Sequence, residues 1–354
     1  MAISVLVVDD SALMRRAIKA MLMENGLAKT GEFMVNTARN GVDALEQLDR
    51  VQPDVVTLDV NMPDMDGLTC LSKIMDHRPT PVVMVSSLTE RNALVTLEAL
   101  ELGAIDYVAK PGGTVSLNMA EVSAELVEKV RAAASARVGG PSGLRSRMRA
   151  AAPPPARRQT SPSRPVDLVL IGSSTGGPQL LSELLPQLPA TLGAPVVVAQ
   201  HIPASFTAAL AGRLDELCQL RVHEVDRIMT VRSGNIYLGR GSGDVVVARR
   251  TDGMIVKSVP SSDEYRWHPS VDRMVASARR HCEASRLVCV LLTGMGDDGA
   301  AEMAAVHDEG GRTIAESEET AVVWGMPGEL ARRGGADAVL PSHAIAKRLA
   351  DWVR

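Results

Sequence analysis

What most narrows the fold is an alternation, kept through residues 1 to 136, between short apolar runs and amphipathic helical stretches. SVLVV (4 to 8), FMVNTA (33 to 38), DVVTL (54 to 58), PVVMV (81 to 85) and AIDYVA (104 to 109) read as five buried strands. Between and after them stand stretches such as ALMRRAIKAMLME and AEVSAELVEKVRAAA, with apolar residues at helical spacing. Strands that alternate with helices of this length make a parallel sheet covered on both faces. The same rhythm resumes at Val166, through VDLVLIG, APVVVAQ, RLVCVLLTG and GGRTIAE. There it is interrupted by GNIYLGRGSGDVVVARRTDGMIVKSV, whose short alternating runs, separated by Gly and Asp-Gly, read as antiparallel hairpins. The expectation is therefore α/β throughout: a five-stranded parallel (βα)5 domain, then a doubly wound α/β domain with a β-hairpin insert.

Composition breaks between the two. Residues 137 to 165 carry prolines and seven arginines but no acidic residue, and read as a Pro/Arg-rich linker between domains at 1–136 and 166–354. Formal charge is −7 before the linker, +7 within it and −4 after it. The overall charge of −4 gives no general pull toward nucleic acid. The +7 segment could bind it or equally lie against the acidic domains, but reads best as solvated linker, and no helix-turn-helix pattern stands in the C-terminal half. Aromatic residues make up only 2%, too few for base-stacking platforms. The four cysteines show no metal-ligand spacing and read as small buried hydrophobes in a reducing compartment. MAISVLVVDD meets acids too soon for a signal peptide, and no apolar run approaches the ~20 residues of a membrane span. The expectation is a cytoplasmic protein without membrane insertion.

In an open parallel sheet, ligands sit beyond the carboxyl ends of the strands. Asp9 and Asp10 close the first strand, Asp59 closes the third, Ser86 follows the fourth and Lys110 the fifth, so all five converge on one edge. Crowded carboxylates repel unless a hard cation sits among them, and Mg²⁺ takes such oxygens. One carboxylate can then attack a phosphoryl donor while the cation and the lysine neutralise the transferred oxygens. VLVVDDS, LDVNMPDMDG, MVSS and DYVAKP together resemble the receiver domain of two-component response regulators, over about residues 1 to 125. The resemblance implies Asp59 as phosphoacceptor and Mg²⁺ held by Asp9, Asp10, Asp59 and the main-chain carbonyl of Asn61. It also implies phosphoryl contacts from Ser86 and Lys110, a switch aromatic at Tyr107, and a histidine kinase as phosphodonor.

The second domain opens with VDLVLIGSSTGGPQLL, a strand, a Gly-rich turn and a helix start. A P-loop needs Gly-Lys-Ser/Thr, but Pro178 follows Gly177 and no lysine is near. Residues 172 to 176 instead meet the G-x-S-x-G spacing of a nucleophile elbow, in which Ser174 is central and Ser173 variable. A serine needs a base, and of seven histidines His201 ends the next strand and so shares the sheet edge with Ser174. The base needs an acid, and LLTGMGDDGA places Asp297 and Asp298 just past another strand, where either could also be a helix N-cap. The chain order Ser, His, Asp departs from that of α/β-hydrolases, which leaves a triad geometry on a different fold.

IGSSTGGP, QHIPASFT, HPSVD, LLTGMGDDGA and VVWGMP, in this order behind a receiver, resemble the protein-glutamate methylesterases of bacterial chemotaxis, the CheB family. The resemblance implies Ser174 as nucleophile, His201 as general base, Asp298 as the acid, and an oxyanion hole from main-chain N–H groups near Thr175 and Met295. It implies hydrolysis of glutamate methyl esters on the cytoplasmic helices of chemoreceptors, with methanol release, and deamidation of receptor glutamines. It further implies activation by phosphorylation of Asp59, and no cofactor for the ester chemistry.

Overall fold

Val5, Leu6, Val7 and Val8 are all buried, the signature of a strand covered on both faces. They belong to β1 (Ile3–Val8) in a computed structural model that describes residues 2–23, 31–87, 90–110, 119–136, 165–251 and 253–353. The chain divides into two compact units, Met1–Ala151 and Ala152–Arg354. Of the Pro/Arg-rich linker, all but Pro165 lies outside the described residues.

In the first unit α1 (Ala12–Met23), β2 (Phe33–Ala38), α2 (Gly41–Val51), β3 (Val55–Asp59), α3 (Gly67–His77), β4 (Val82–Ser86), α4 (Glu90–Glu101), β5 (Asp106–Ala109) and α5 (Met119–Ser135) follow β1. The five strands are parallel in the order β2-β1-β3-β4-β5. Helix α1 packs on α5, while α2 meets α3 and α3 meets α4, which gives the two helical layers the alternation requires. Central β1, β3 and β4 are apolar runs, whereas β2 lies at an edge and leaves Met34 56% exposed. FMVNTA is thus only half buried, because edge strands face a neighbour on one side. Asn40 and Asp66 cap α2 and α3 by accepting the N–H groups of Asp43 and Thr69.

The second unit has β6 (Leu168–Ser173), α6 (Gly177–Leu184), β7 (Val196–Gln200), α7 (Ala204–Leu217), β8 (Arg221–Val225), β9 (Met229–Thr230), β10 (Asn235–Gly239), β11 (Gly243–Arg250) and β12 (Gly253–Pro260). Then come α8 (Val271–Arg279), β13 (Leu287–Leu291), α9 (Ala300–Asp308), β14 (Arg312–Glu316), α10 (Met326–Arg332), β15 (Ala338–Leu340) and α11 (Ser342–Trp352). Seven strands form a parallel sheet in the order β15-β14-β13-β6-β7-β10-β8. The chain runs outward from β6 to one side, then returns to β13 and runs to the other, so the topological switch lies between β6 and β13. Helix α6 packs on α7 and α11, and α9 packs on α8 and α10, which winds the sheet on both faces.

The insert differs in part from its sequence reading. β11 and β12 form the expected hairpin, joined by β9 into a three-stranded antiparallel sheet that packs on α8. The first run, NIYLG, instead becomes β10 and pairs in parallel with β7 and β8. Gly-bounded alternating runs look alike in sequence, and pairing is decided by which edge the chain reaches. Among the described residues no helix is long and apolar enough to cross a membrane. All four cysteines are free thiols, with Cys70, Cys282 and Cys289 buried and Cys218 half-buried.

Candidate functional site

The carboxyl edge of the first sheet gathers Asp9, Asp10 and Asp59, whose carboxylate oxygens lie within 4.8 Å of one another. Lys110, just past β5, extends Nζ to Asp9 Oδ2 at 2.9 Å and Asp59 Oδ2 at 2.7 Å. Asp9 is held by the Ser11 N–H, and the Asn61 N–H reaches Asp59 Oδ1 at 3.3 Å. Burial pushes the Asp59 carboxyl above its ordinary value, with Asp9 adding repulsion, and Lys110 opposes both without cancelling them. Burial also disfavours the Lys110 charge, yet contact with both aspartates raises its pKa on balance. Three hard oxygen donors around one lysine fit a divalent cation of the Mg²⁺ type. Ser86 is buried at the end of β4 beside this cluster's strand. Tyr107 is buried in β5, with Lys129 Nζ 4.8 Å above its ring and bonded to its carbonyl at 2.7 Å.

The second site sits at the switch of the second sheet. β6 ends at Ser173 and β7 at Gln200, so the next residues, Ser174 and His201, emerge from adjacent strands at one edge. His201 Nε2 lies 2.8 Å from Asp298 Oδ2. With Asp298 accepting, Nε2 carries the hydrogen and Nδ1 presents its lone pair. Nδ1 is buried and makes no hydrogen bond among the described residues. The imidazole stacks on Trp267, with ring centroids 6.0 Å apart and an interplanar angle of 7°.

Asp298 is a fixed anion. Besides His201 it accepts the Val271 N–H at 2.7 Å, the Asp272 N–H at 2.9 Å and the Ser270 hydroxyl at 3.1 Å. Burial acts to raise its pKa, but the His201 hydrogen bond and charge, with the two backbone N–H groups, hold it below the ordinary carboxylate value. Asp298 therefore caps the N-terminus of α8, not of α9, the helix that follows it in sequence. α9 is capped through Asp272, which accepts the Glu302 N–H at 3.1 Å. Desolvation, then repulsion from Asp298, lifts Asp272 to about 6. Asp297 is exposed and outside this network.

The two serines part company. Ser173 is fully buried and donates to Gln200 Oε1 at 2.6 Å. That bond fixes the amide, whose Nε2 reaches the carbonyls of Ser174 and His201, both at 2.9 Å. Ser174 is half-buried, its N–H bonded to the Thr293 carbonyl at 2.9 Å. Thr175 is buried, and Thr293 Oγ1 donates to its carbonyl at 2.9 Å. A Cβ on Gly294 would stand 2.7 Å from Ser174 Cβ, so glycine lets the strand leading to Met295 pass against the serine. The Gly294 carbonyl accepts N–H bonds from Gly325 and Met326, which sets the half-buried Met295 backbone.

The structure thus brings Ser174, His201, Asp298, Thr175 and Met295 to one edge, and Asp9, Asp10, Asp59, Asn61, Ser86 and Lys110 to the other sheet's edge. Gln200, Trp267, Ser270, Thr293 and Glu316 were not singled out from sequence. All but Glu316 stand within or beside a quoted motif (QHIPASFT, HPSVD, LLTGMGDDGA), and Glu316 ends the GGRTIAE strand run, so a search of motif neighbours for polar groups at strand ends would have found most. His268 bonds the buried Asp244 at 2.9 Å and belongs to a neighbouring polar knot with Ser270 N–H and Arg273, which meets the Asp298 network at Ser270.

An acidic phosphoryl-type pocket on a five-stranded sheet, joined to a serine, histidine and aspartate at the switch of a second sheet, defines a receiver-linked hydrolase. Comparison with known proteins agrees. The family described as CheB methylesterase matches residues 169–349, and the response regulator receiver domain matches residues 5–120. A Rhodospirillum rubrum protein named protein-glutamate methylesterase/protein-glutamine glutaminase 3 is 52% identical, covering 99% of this chain and 96% of its own. A like-named Rhodopseudomonas palustris protein is 51% identical over 99% of this chain and 98% of its own. The crystal structure of the Thermotoga maritima CheB methylesterase catalytic domain covers 52% of this chain and 98% of its own, at 37% identity and a TM-score of 0.51. The chain belongs to the CheB methylesterase family and carries the receiver domain of response regulators.

Proposed function

We propose that this chain hydrolyses glutamate methyl esters on the cytoplasmic helices of chemoreceptors, and deamidates receptor glutamines, under control of receiver phosphorylation. The observation that carries the reading is the His201–Asp298 pair, with Nδ1 buried and without a hydrogen bond among the described residues, beside the Ser174 turn. Ser174 Oγ attacks the ester carbonyl while His201 Nδ1 takes its proton, and Asp298 stabilises the imidazolium through Nε2–H. Main-chain N–H groups of Thr175 and Met295 receive the oxyanion. The C–O bond to the methoxy group breaks, the His201 proton passes to it, and methanol leaves. Water, deprotonated by His201, then cleaves the acyl-enzyme and returns a glutamate carboxylate. With a glutamine side chain the same steps release ammonia. No cofactor takes part.

In the receiver, residues 1–136, Asp59 accepts a phosphoryl group from a chemotaxis histidine kinase, and residues 137–165 connect it to the catalytic domain at 166–354. Asp9, Asp10, Asp59 and the Asn61 carbonyl would hold Mg²⁺, which when bound neutralises phosphoryl oxygens. Ser86 and Lys110 contact the transferred group. The enzyme works in the cytoplasm, neither inserted in membrane nor bound to nucleic acid. The test is methanol release from methylated receptor fragments, with and without a small phosphodonor. Release that depends on Ser174 and rises with the donor is the expected result.

A further inference from the structure

Beneath the nucleophile turn lies a carboxyl that the steps above do not use. Glu316 ends β14 and is fully buried. Its Oε2 accepts the Thr293 N–H at 2.8 Å, and its Oε1 accepts the Thr320 hydroxyl at 2.9 Å, which in turn accepts the Ser342 N–H at 2.9 Å. Its main-chain carbonyl takes the Trp324 indole N–H at 2.8 Å. Thr293 then carries the link to the site from both ends. Its carbonyl accepts the Ser174 N–H, and its hydroxyl donates to the Thr175 carbonyl and accepts the Val323 N–H at 3.0 Å. One carboxyl thus ties together the three loops that carry the serine, the Gly294–Met295 turn and the segment before α10.

We propose that Glu316 is a positioning residue for the esterase, fixing through Thr293 the backbone that presents Ser174 and the Thr175 N–H. This rests on the reading of Ser174 as nucleophile and Thr175 as an oxyanion donor. The brace acts by hydrogen-bond acceptance, strengthened when the carboxyl is ionised, since a carboxylate accepts an N–H more strongly than a neutral acid. Burial lifts the Glu316 pKa to about 7 against the pull of Thr320 and Thr293, and Glu183 is the charged group whose field adds to it. The strength of the brace therefore changes across neutral pH.

The experiment measures kcat and KM for methanol release by the full chain between pH 6 and 9, for wild type, Glu316→Gln, Glu316→Leu, Thr293→Val, Thr293→Ser and Ser174→Ala. Glu316→Gln keeps an acceptor, so wild type exceeds it by about fivefold at pH 8.5, and the two converge as pH falls through 7. His201 is common to both and cancels from that ratio. Glu316→Leu removes the acceptor and lowers kcat by about 100-fold with KM within about threefold, the scale of a misplaced oxyanion donor. Thr293→Val lowers kcat by about tenfold and Thr293→Ser restores it, which carries the test if the Leu variant does not fold. A wild-type kcat in Glu316→Leu or Thr293→Val, a loss confined to KM, or a Gln ratio independent of pH overturns the proposal. An inactive Ser174→Ala beside fully active Glu316 and Thr293 variants defeats this inference alone. An active Ser174→Ala defeats the nucleophile reading on which it rests.

Discussion

The two sheet edges make an instructive pair. Both are carboxyl ends of open parallel sheets, both bury an aspartate, and they shift its pKa in opposite directions. Asp298 receives four donors, from His201, Val271, Asp272 and Ser270, and stays anionic in spite of burial. Asp59 has Lys110 and one distant backbone N–H, faces Asp9, and is pushed toward its neutral form. The first carboxylate is a finished structural anion, able to orient and charge-balance an imidazole. The second has less positive charge about it, in keeping with the proposal that it receives a cation and a phosphoryl group. The shared topology supplies only the place, and the count of donors decides the chemistry.

The sharpest way to break this contrast is at the hydrolase edge. Ser174→Ala should lower methanol release by about 10⁴-fold or more, and Asp298→Asn by about 10³- to 10⁴-fold, because the amide holds the wrong tautomer of His201. Asp298→Asn also weakens the cap of α8, which a lowered thermal midpoint would report. At the receiver edge, Asp59→Asn should abolish the rise in esterase rate caused by a small phosphodonor, and an undiminished rise would remove Asp59 as the control point. Asp10→Asn should weaken Mg²⁺ binding, read by titration calorimetry, by about tenfold, since one of the three carboxylates loses its charge. Ser173→Ala removes only the bond that orients Gln200, so a loss of about tenfold or less is expected in kcat.

The last effect concerns stability and not rate. Glu316 has a folded pKa raised from 4.5 to about 7, so folding pays nothing for it below about pH 4.5. The penalty grows as pH rises to about 7 and is constant above. Glu316→Gln should therefore gain stability on wild type across that window, by on the order of 3 kcal/mol above pH 7, measured by urea denaturation. A difference that is flat with pH would contradict it.

Much of this was legible in the sequence, for physical reasons that also mark where legibility ends. Strand ends can be found from apolar runs, and strand ends are where sites lie, so Asp9, Asp59, Ser174 and His201 could be gathered without coordinates. Spacing separated Ser174 from Ser173, whereas Asp298 was chosen over Asp297 only by the family resemblance; in the fold Asp297 is exposed and Asp298 buried. Asp298 had looked like a possible cap for the helix after it, yet it caps α8, nearly thirty residues earlier in the chain. Such a bond leaves no periodic trace. The same holds for Glu316 and Thr293, which meet only because β13 and β14 are neighbours in the sheet. NIYLG shows the limit for strands, because its pairing partner is set by the path of the chain and not by its own pattern.

The central claim is that one of two adjacent serines, working through His201 Nδ1, performs the hydrolysis. Methanol release from methylated receptor fragments by wild type, Ser174→Ala and Ser173→Ala, each with a phosphodonor present, tests it most directly. The account requires near-complete loss in Ser174→Ala and substantial retained activity in Ser173→Ala. Retained activity in Ser174→Ala, or loss confined to Ser173→Ala, would contradict it.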